Sequence, residues 1–308
     1  TATAVATPPS PRRFSSSPLV NRIPKEIWEH QILDPFFNMK ETAQTRRINT
    51  FFDENWQRRI EQRFIHVPHD CSTMNEALDM GEILSKRIDF TTTTPLRIHL
   101  GKGEHNLKYS EPRNPIQGTV SITTDNVIVC GQGLDTVLLF GFAIRKKENV
   151  TVMNLTIRNY RGPGFSISHY NTHVNLIDCR AKDCQTNGLF MYDYAKATAT
   201  RCVFSDNDTD GIKCTNNSKL LLNDCQVHTN KNDGVVSQSG TVVSIHGEAS
   251  KIHGNQCAGI HAWYGGTVNL YLHLKHKTTQ GNGEDRRMSG FSDLGYGVIA
   301  NIPTTDGE

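Results

Sequence analysis

The sequence predicts a mainly β chain, a parallel β-helix preceded by a small three-helix domain. Three observations carry that expectation. Glycines 164, 188, 211, 234 and 259 recur at separations of 24, 23, 23 and 25 residues, a fixed period of the kind that marks a solenoid. Each glycine is followed by a short apolar segment, with Phe165, Leu189, Ile212, Val235 or Ile260 in the next position. Ahead of the repeat, residues 22–64 change to apolar positions at helical spacing.

Within each copy, Asn187, Asp210 and Asp233 precede their glycines, and Asn-Gly and Asp-Gly read as turns in which glycine adopts positive φ. A second strand follows each polar break, at Val174–Ile177, Ala197–Thr200, Lys219–Leu222 and Val242–Ile245. Two or three short strands in about 23 residues fit one coil of a β-helix. Stacked coils set equivalent residues about 4.8 Å apart, so two ladders are expected. Leu155, Cys179, Cys202 and Cys225 form a buried apolar one. Tyr160, Cys184, Asn207, Asn230 and Asn255 form one in which stacked amides satisfy each other.

The remaining segments follow in chain order. Residues 1–21 are Thr, Ala, Pro and Ser with Arg12 and Arg13 and no acid, the composition of a disordered tail or linker, or of a transit-peptide remnant. Residues 22–66 hold three short amphipathic helices, the third running from about Thr50 to Phe64 with Phe52, Trp56, Ile60 and Phe64 four apart. Residues 67–95 form a junction, where Thr73-Met74-Asn75-Glu76 opens a helix that runs to about Lys86 and lids the open end of the solenoid. The β-helix is expected over 96–302, interrupted by a charged insertion at about 275–294 read as a mobile surface loop, with 303–308 as a tail.

A formal net charge of +2 implies no strong field toward nucleic acid or a membrane. Eight cysteines, three of them on the coil period, read as reduced structural thiols. No metal site and no cofactor is expected.

Two resemblances follow from these residues. Ile-Pro-x-Glu-Ile from Ile23, then Ile32-Leu33, Phe36-Phe37, Arg46-Arg47-Ile48-Asn49, Phe51-Phe52 and Trp56, resembles an F-box, with Gln31 as an extra residue and a short middle. The alternative is a three-helix cap on the β-helix. The coils from Leu96, including Val127 to Gly133, resemble a pectin-lyase-like right-handed β-helix with its capping helix. Together they resemble ubiquitin-ligase substrate receptors with carbohydrate-binding/sugar-hydrolase repeats. That resemblance implies a non-catalytic adaptor of a cullin–RING (SCF-type) ligase in the cytoplasm or nucleus, or in an organelle if a transit peptide preceded Thr1. It would dock on a Skp-type adaptor and cullin through Pro24, Ile27, Ile32, Leu33, Phe51 and Phe52, with the β-helix holding an unidentified protein substrate. The pectin-lyase-like resemblance alone implies a polysaccharide-binding or polysaccharide-cleaving protein, a lyase or glycoside hydrolase if an enzyme. A third expectation is a structural subunit of a larger assembly.

Two sets of residues on the β-helix are candidates for function. Asp210 and Asp233, one coil apart, are the candidate catalytic carboxylates, although the turns themselves call for Asp before Gly. His169, Tyr170, Tyr192, Tyr194, Trp263 and Tyr264 follow their glycine strands at similar offsets and form a candidate substrate-binding face, as stacking platforms or partner anchors. The alternative for them is packing at the coil corners.

Overall fold

The computed structural model describes residues 63–86, 88–107, 118–271, 279–289 and 295–302. The F-box-like residues Pro24, Ile27, Ile32, Leu33, Phe51 and Phe52 lie outside them. Three sheets run side by side along a solenoid, one of ten strands (sheet A) and two of eight (sheets B and C). Each coil visits A, then B, then C. One such coil is His173–Ile177, Arg180–Lys182 and Leu189–Tyr192. The strand pairs between coils are parallel and in register, so Val174, Ala197, Leu220 and Val243 stack in one column. Alternation within each strand sends every second side chain inward, where Leu189, Met191, Ile212, Cys214, Val235 and Ile260 are fully buried.

The repeat glycines act differently from the expected role. Gly164, Gly188, Gly211, Gly234 and Gly259 are absent from the positive-φ positions. A Cβ on Gly188 would instead lie 2.8 Å from Gly211 O, and one on Gly234 would lie 2.5 Å from Gly259 O. Close approach of successive coils excludes a side chain there. Left-handed backbone falls to other residues, such as Asn154, Asp178, Arg201 and Asp224, one per coil at the corner between sheets A and B. Asn and Asp tolerate that conformation. Arg201 is held there beside Asp178, which accepts from Arg201 Nε and Nη2 at 2.7 Å each.

The amide ladder runs along Asn207, Asn230, Asn255 and Asn282. Asn207 N and Nδ2 both donate to Asn230 Oδ1 (3.1 and 2.9 Å), Asn230 repeats this with Asn255, and Asn255 with Asn282. Cys184 N donates to Asn207 Oδ1 at its upper end. Tyr160 is not a rung: it is 53% exposed, and its neighbour Asn159 is the buried residue, donating to Pro163 O at 2.7 Å. The cysteine column is buried and unpaired by disulfides, with Cys179 Sγ donating to Val152 O and Cys225 Sγ to Ala199 O. Burial pushes the Cys184 thiol up to about 12 and raises that of Cys214 as well, so both stay protonated.

Three boundaries move relative to the sequence reading. Phe64–Val67 is a strand, paired parallel with Leu96–Leu100, so the third helix does not extend to Phe64 and sheet A begins before residue 96. Ile65 and Val67 alternate into the core, which a helix could not achieve from that position. The charged stretch at 275–294 is not simply a loop: Thr279–Gln280 and Glu284–Ser289 pair with sheets B and C and carry the solenoid onward. Its continuation is fixed by the Asn282 rung and by Gly283, where a Cβ would lie 2.9 Å from Cys257 O.

One helix, Met74–Ser85 (α1), is present among the described residues. Thr73 caps it by accepting from Glu76 N at 3.2 Å, and the Glu76 carboxylate reaches back to Ser72 N at 2.7 Å, one residue earlier than a standard capping box. Met74, Ala77, Leu78, Met80 and Leu84 are buried. The helix packs on Phe64–Val67 and Thr119–Ile122, the terminal strands of sheets A and C. At Gly81 it sits so close that a Cβ would be 2.5 Å from Leu96 Cδ2. No described helix is long and apolar enough to cross a membrane.

Candidate functional site

The outer face of sheet C carries the most varied surface chemistry. The position two residues after each repeat glycine holds Ser166, Phe190, Lys213, Val236 and His261 in register, Arg287 continues the column beside His261, and all but the buried Val236 reach the outer surface. Two residues further on, Arg145, Ser168 and Tyr192 share a column, and Gln238 pairs with Trp263. Neighbours in a column are about 4.8 Å apart, so these side chains present a ladder of contacts along the solenoid axis.

The upstream half of this face forms a groove of about 450 Å³. Ser121, Ser166 and Ser168 lie along it, Arg145 and Lys147 line it, Tyr192 stands at one end, and Glu82 reaches in from α1. Tyr192 is stacked on Phe190 with centroids 5.0 Å apart, which extends the aromatic surface. Several basic residues elsewhere are committed to acids, Arg158 to Asp183, Arg201 to Asp178, Lys231 to Asp208 and Arg287 to Glu284. Arg145 and Lys147 have no ion-pair partner among the described residues, so the groove holds two available positive charges. Thr123 also lines it, and its buried Oγ1 has no hydrogen-bond partner.

The downstream half is organised by Asp233 and His261. Asp233 Oδ2 and His261 Nδ1 are 2.8 Å apart, with side chains 7% and 12% exposed. His261 stacks with Trp263 at 5.8 Å, and Trp263 with Tyr264 at 4.3 Å. The second Asp233 oxygen accepts from Ala258 N at 2.7 Å. Asp210 is engaged in the same way one coil earlier: Oδ1 accepts from Asp233 N and Asn232 Nδ2, and Oδ2 from Asn187 Nδ2. Burial is the main reason the Asp210 carboxyl titrates above its ordinary range, with the Asp233 backbone N–H opposing it. Both carboxylates therefore close the B-to-C corner of one coil onto the next, and the Asp210 side chain is buried there.

The six aromatic and histidine positions fall into three columns rather than one. Tyr192 and Trp263 end sheet C strands and face outward with their columns, three coils apart. His169 and Tyr264 lie one position later, and Tyr170 and Tyr194 two later, at the corner between sheets C and A. His169, Tyr194 and Tyr264 all have positive φ there. Tyr170 and Tyr194 are 62% and 58% exposed. Corner packing and outward display are thus both present, divided by position. Phe190, Lys213, His261, Arg145 and Lys147 were not singled out from the sequence. The signal for the first three was available, since they share the glycine-plus-two offset.

Fold and face together define a parallel β-helix protein with an extended polar and aromatic surface on one sheet. The family described as "Right handed beta helix region" matches residues 116–274, just over half of the chain, and the chain belongs to it. Among solved structures the chain is similar to Geobacillus virus E2 ORF18, with a TM-score of 0.48 and 10% identity over 87% of this chain and 67% of that one. It is similar to the Agl-KA catalytic domain at TM-score 0.47 and 15% identity, over 78% of this chain and half of that domain's length. Pectate lyase Pel9A gives a TM-score of 0.39 at 13% identity, covering 69% of each chain. No curated protein matches the sequence.

Proposed function

We propose that this β-helix binds an anionic polysaccharide along the outer face of sheet C. The observation that carries the reading is the groove. Two cations without ion-pair partners among the described residues, Arg145 and Lys147, stand beside three serines and the Phe190–Tyr192 stack. Cations match carboxylate or sulfate groups, hydroxyls match sugar hydroxyls, and an aromatic face takes the apolar side of a pyranose. The coil repeat suits a repeating ligand, because each coil offers a similar set of contacts about 4.8 Å further on. Binding is the role assigned; Asp210 and Asp233 serve the turns.

The test is calorimetric titration of the protein with de-esterified and methyl-esterified pectin, alginate and dextran sulfate. Binding to the charged chains is expected, and Tyr192→Ala and the double variant Arg145→Ala/Lys147→Ala should each weaken it while circular dichroism stays unchanged. Equal binding by both variants and the parent protein would refute the assignment of this face.

A second reading rests on a separate observation, the F-box-like pattern from Ile23 to Trp56. Under it the chain joins a Skp-type adaptor and cullin, and the β-helix faces the substrate. A pull-down with a Skp subunit tests it, with Ile27→Asp/Leu33→Asp as the variant that should abolish capture. Capture that survives that double substitution, or none by the intact protein, contradicts it.

A further inference from the structure

Beside the groove, at the corner between sheets C and A, lies a separate cavity of about 320 Å³. The two share a wall one strand thick: Arg145 and Lys147 line the groove while Lys146 between them lines the corner, and Ser168 lines the groove while His169, Tyr170 and Asn171 line the corner. Asp125 and Glu148 complete the corner cavity.

Asn149 Nδ2 donates to Asn126 Oδ1 at 2.9 Å across the cavity lining, and its charged groups are not paired with one another. Lys146, Asp125 and Glu148 have no ion pair among the described residues. Asp125 Oδ1 accepts from Glu148 N at 2.8 Å, which positions that carboxylate but leaves its second oxygen uncommitted. His169 Nδ1 is buried with no hydrogen-bond partner. The ring rests against Tyr170 at 4.3 Å between centroids, and Tyr170 is 62% exposed. His169 also has φ of 87°, a backbone value that only glycine adopts freely, so the chain holds this ring in place against a local preference. Desolvation, then the Lys146 and Arg145 charges, keep the His169 imidazole below its ordinary titration range, so it is uncharged at neutral pH.

We propose that this corner cavity is a second sugar subsite, which takes an uncharged branch or terminal sugar of the polysaccharide lying in the groove. The inference rests on the polysaccharide reading of the groove. The charge pattern selects against an acidic sugar, because two carboxylates to one ammonium leave the lining net negative. Sugar hydroxyls satisfy all of these groups, since they donate to Asp125 and Glu148 and accept from Lys146. The exposed Tyr170 ring offers a platform for the sugar's apolar face. The thin wall lets one branched chain fill both cavities at once, which raises the effective concentration of the branch sugar at the corner.

The test compares polyuronates carrying neutral galactosyl, arabinosyl, xylosyl or glucosyl branches with the same samples after enzymatic debranching, by calorimetric titration of the full chain. At least one branched form should bind roughly tenfold more tightly than its debranched counterpart. Tyr170→Ala should remove that difference and leave affinity for the debranched chain unchanged. Tyr170→Phe should retain it, because the platform and not the hydroxyl is at work. Tyr192→Ala should weaken both forms. The inference is overturned if none of the four branches raises affinity, or if Tyr170→Ala binds the branched chain as the parent does. Failure of the parent protein to bind any chain, branched or debranched, overturns the groove reading, and this inference falls with it.

Discussion

Replacing Gly211 by alanine tests how the coils are stacked. A Cβ at Gly211 would lie 2.6 Å from Asn230 Nδ2 and 2.9 Å from Gly234 O, and would also press on Val227 Cγ1. None of these can retreat easily. Gly234 O accepts from Ile212 N at 2.9 Å, Asn230 is a rung of the amide ladder, and Val227 is 1% exposed. Overpacking of a rigid core costs about 1–3 kcal/mol, and with three neighbours affected the upper part of that range applies. Alanine recovers about 0.4–1 kcal/mol through the unfolded chain, since Gly211 does not need positive φ. The net expectation is a loss of about 1–2.5 kcal/mol, or roughly 2–10 °C in Tm for a domain of this size. Gly281→Ala is the matched control. Gly281 has φ of 62° and nothing near its Cβ, so its cost is the left-handed backbone alone, about 1 kcal/mol. Gly211→Asn separates the two explanations: asparagine tolerates positive φ but not the close approach, so it should be worse than alanine. Thermal and urea unfolding measure all three. Gly211→Ala within about a degree of the parent, or Gly211→Asn better than Gly211→Ala, would refute the close-approach argument.

Other consequences follow from the same geometry. Asn230→Ala removes the side-chain acceptor of Asn207 N and Nδ2 and one of the two donors to Asn255 Oδ1 in a buried column, and should cost about 2–4 kcal/mol in urea unfolding. Because burial raises the Asp210 carboxyl above its unfolded value, its contribution to stability is fully present below the unfolded pKa and is lost as pH rises through the folded one. The stability of the parent relative to Asp210→Asn should therefore improve as pH falls from neutral toward that range, as read from urea midpoints at several pH values. Binding of an anionic chain should weaken as salt rises, and Arg145→Ala/Lys147→Ala should flatten that dependence by removing the two charges without ion-pair partners.

Much of the fold was readable because a coil repeats and a strand alternates. Cys179, Cys202 and Cys225 betray a buried column by period alone, and Val174, Ala197, Leu220 and Val243 by their alternation with polar neighbours. The reason for the glycines was not readable, because the atom each one avoids belongs to the next coil and is distant in sequence. Asn282 was missed as a rung because it stands 27 residues after Asn255, beside a run of charges that reads as surface loop. Phe64 was read as helical because it continues the four-residue spacing of Trp56 and Ile60, and a four-residue strand carries too little pattern to overrule that. The site was less legible than the fold. Tyr192 and Tyr170 were visible as aromatics at the ends of strands, but their division between the outward face and the corner depends on backbone sign at His169 and Tyr194. Arg145 and Lys147 became notable only once the partners of other basic residues were known.

The most direct test of the polysaccharide-binding account is the affinity of the parent chain and of Tyr192→Ala for de-esterified pectin, alginate and dextran sulfate at low salt. The account predicts saturable binding of at least one anionic chain by the parent, weakened roughly tenfold by Tyr192→Ala with the fold intact. Binding that is indifferent to Tyr192, or no binding by the parent to any of the three, would contradict it.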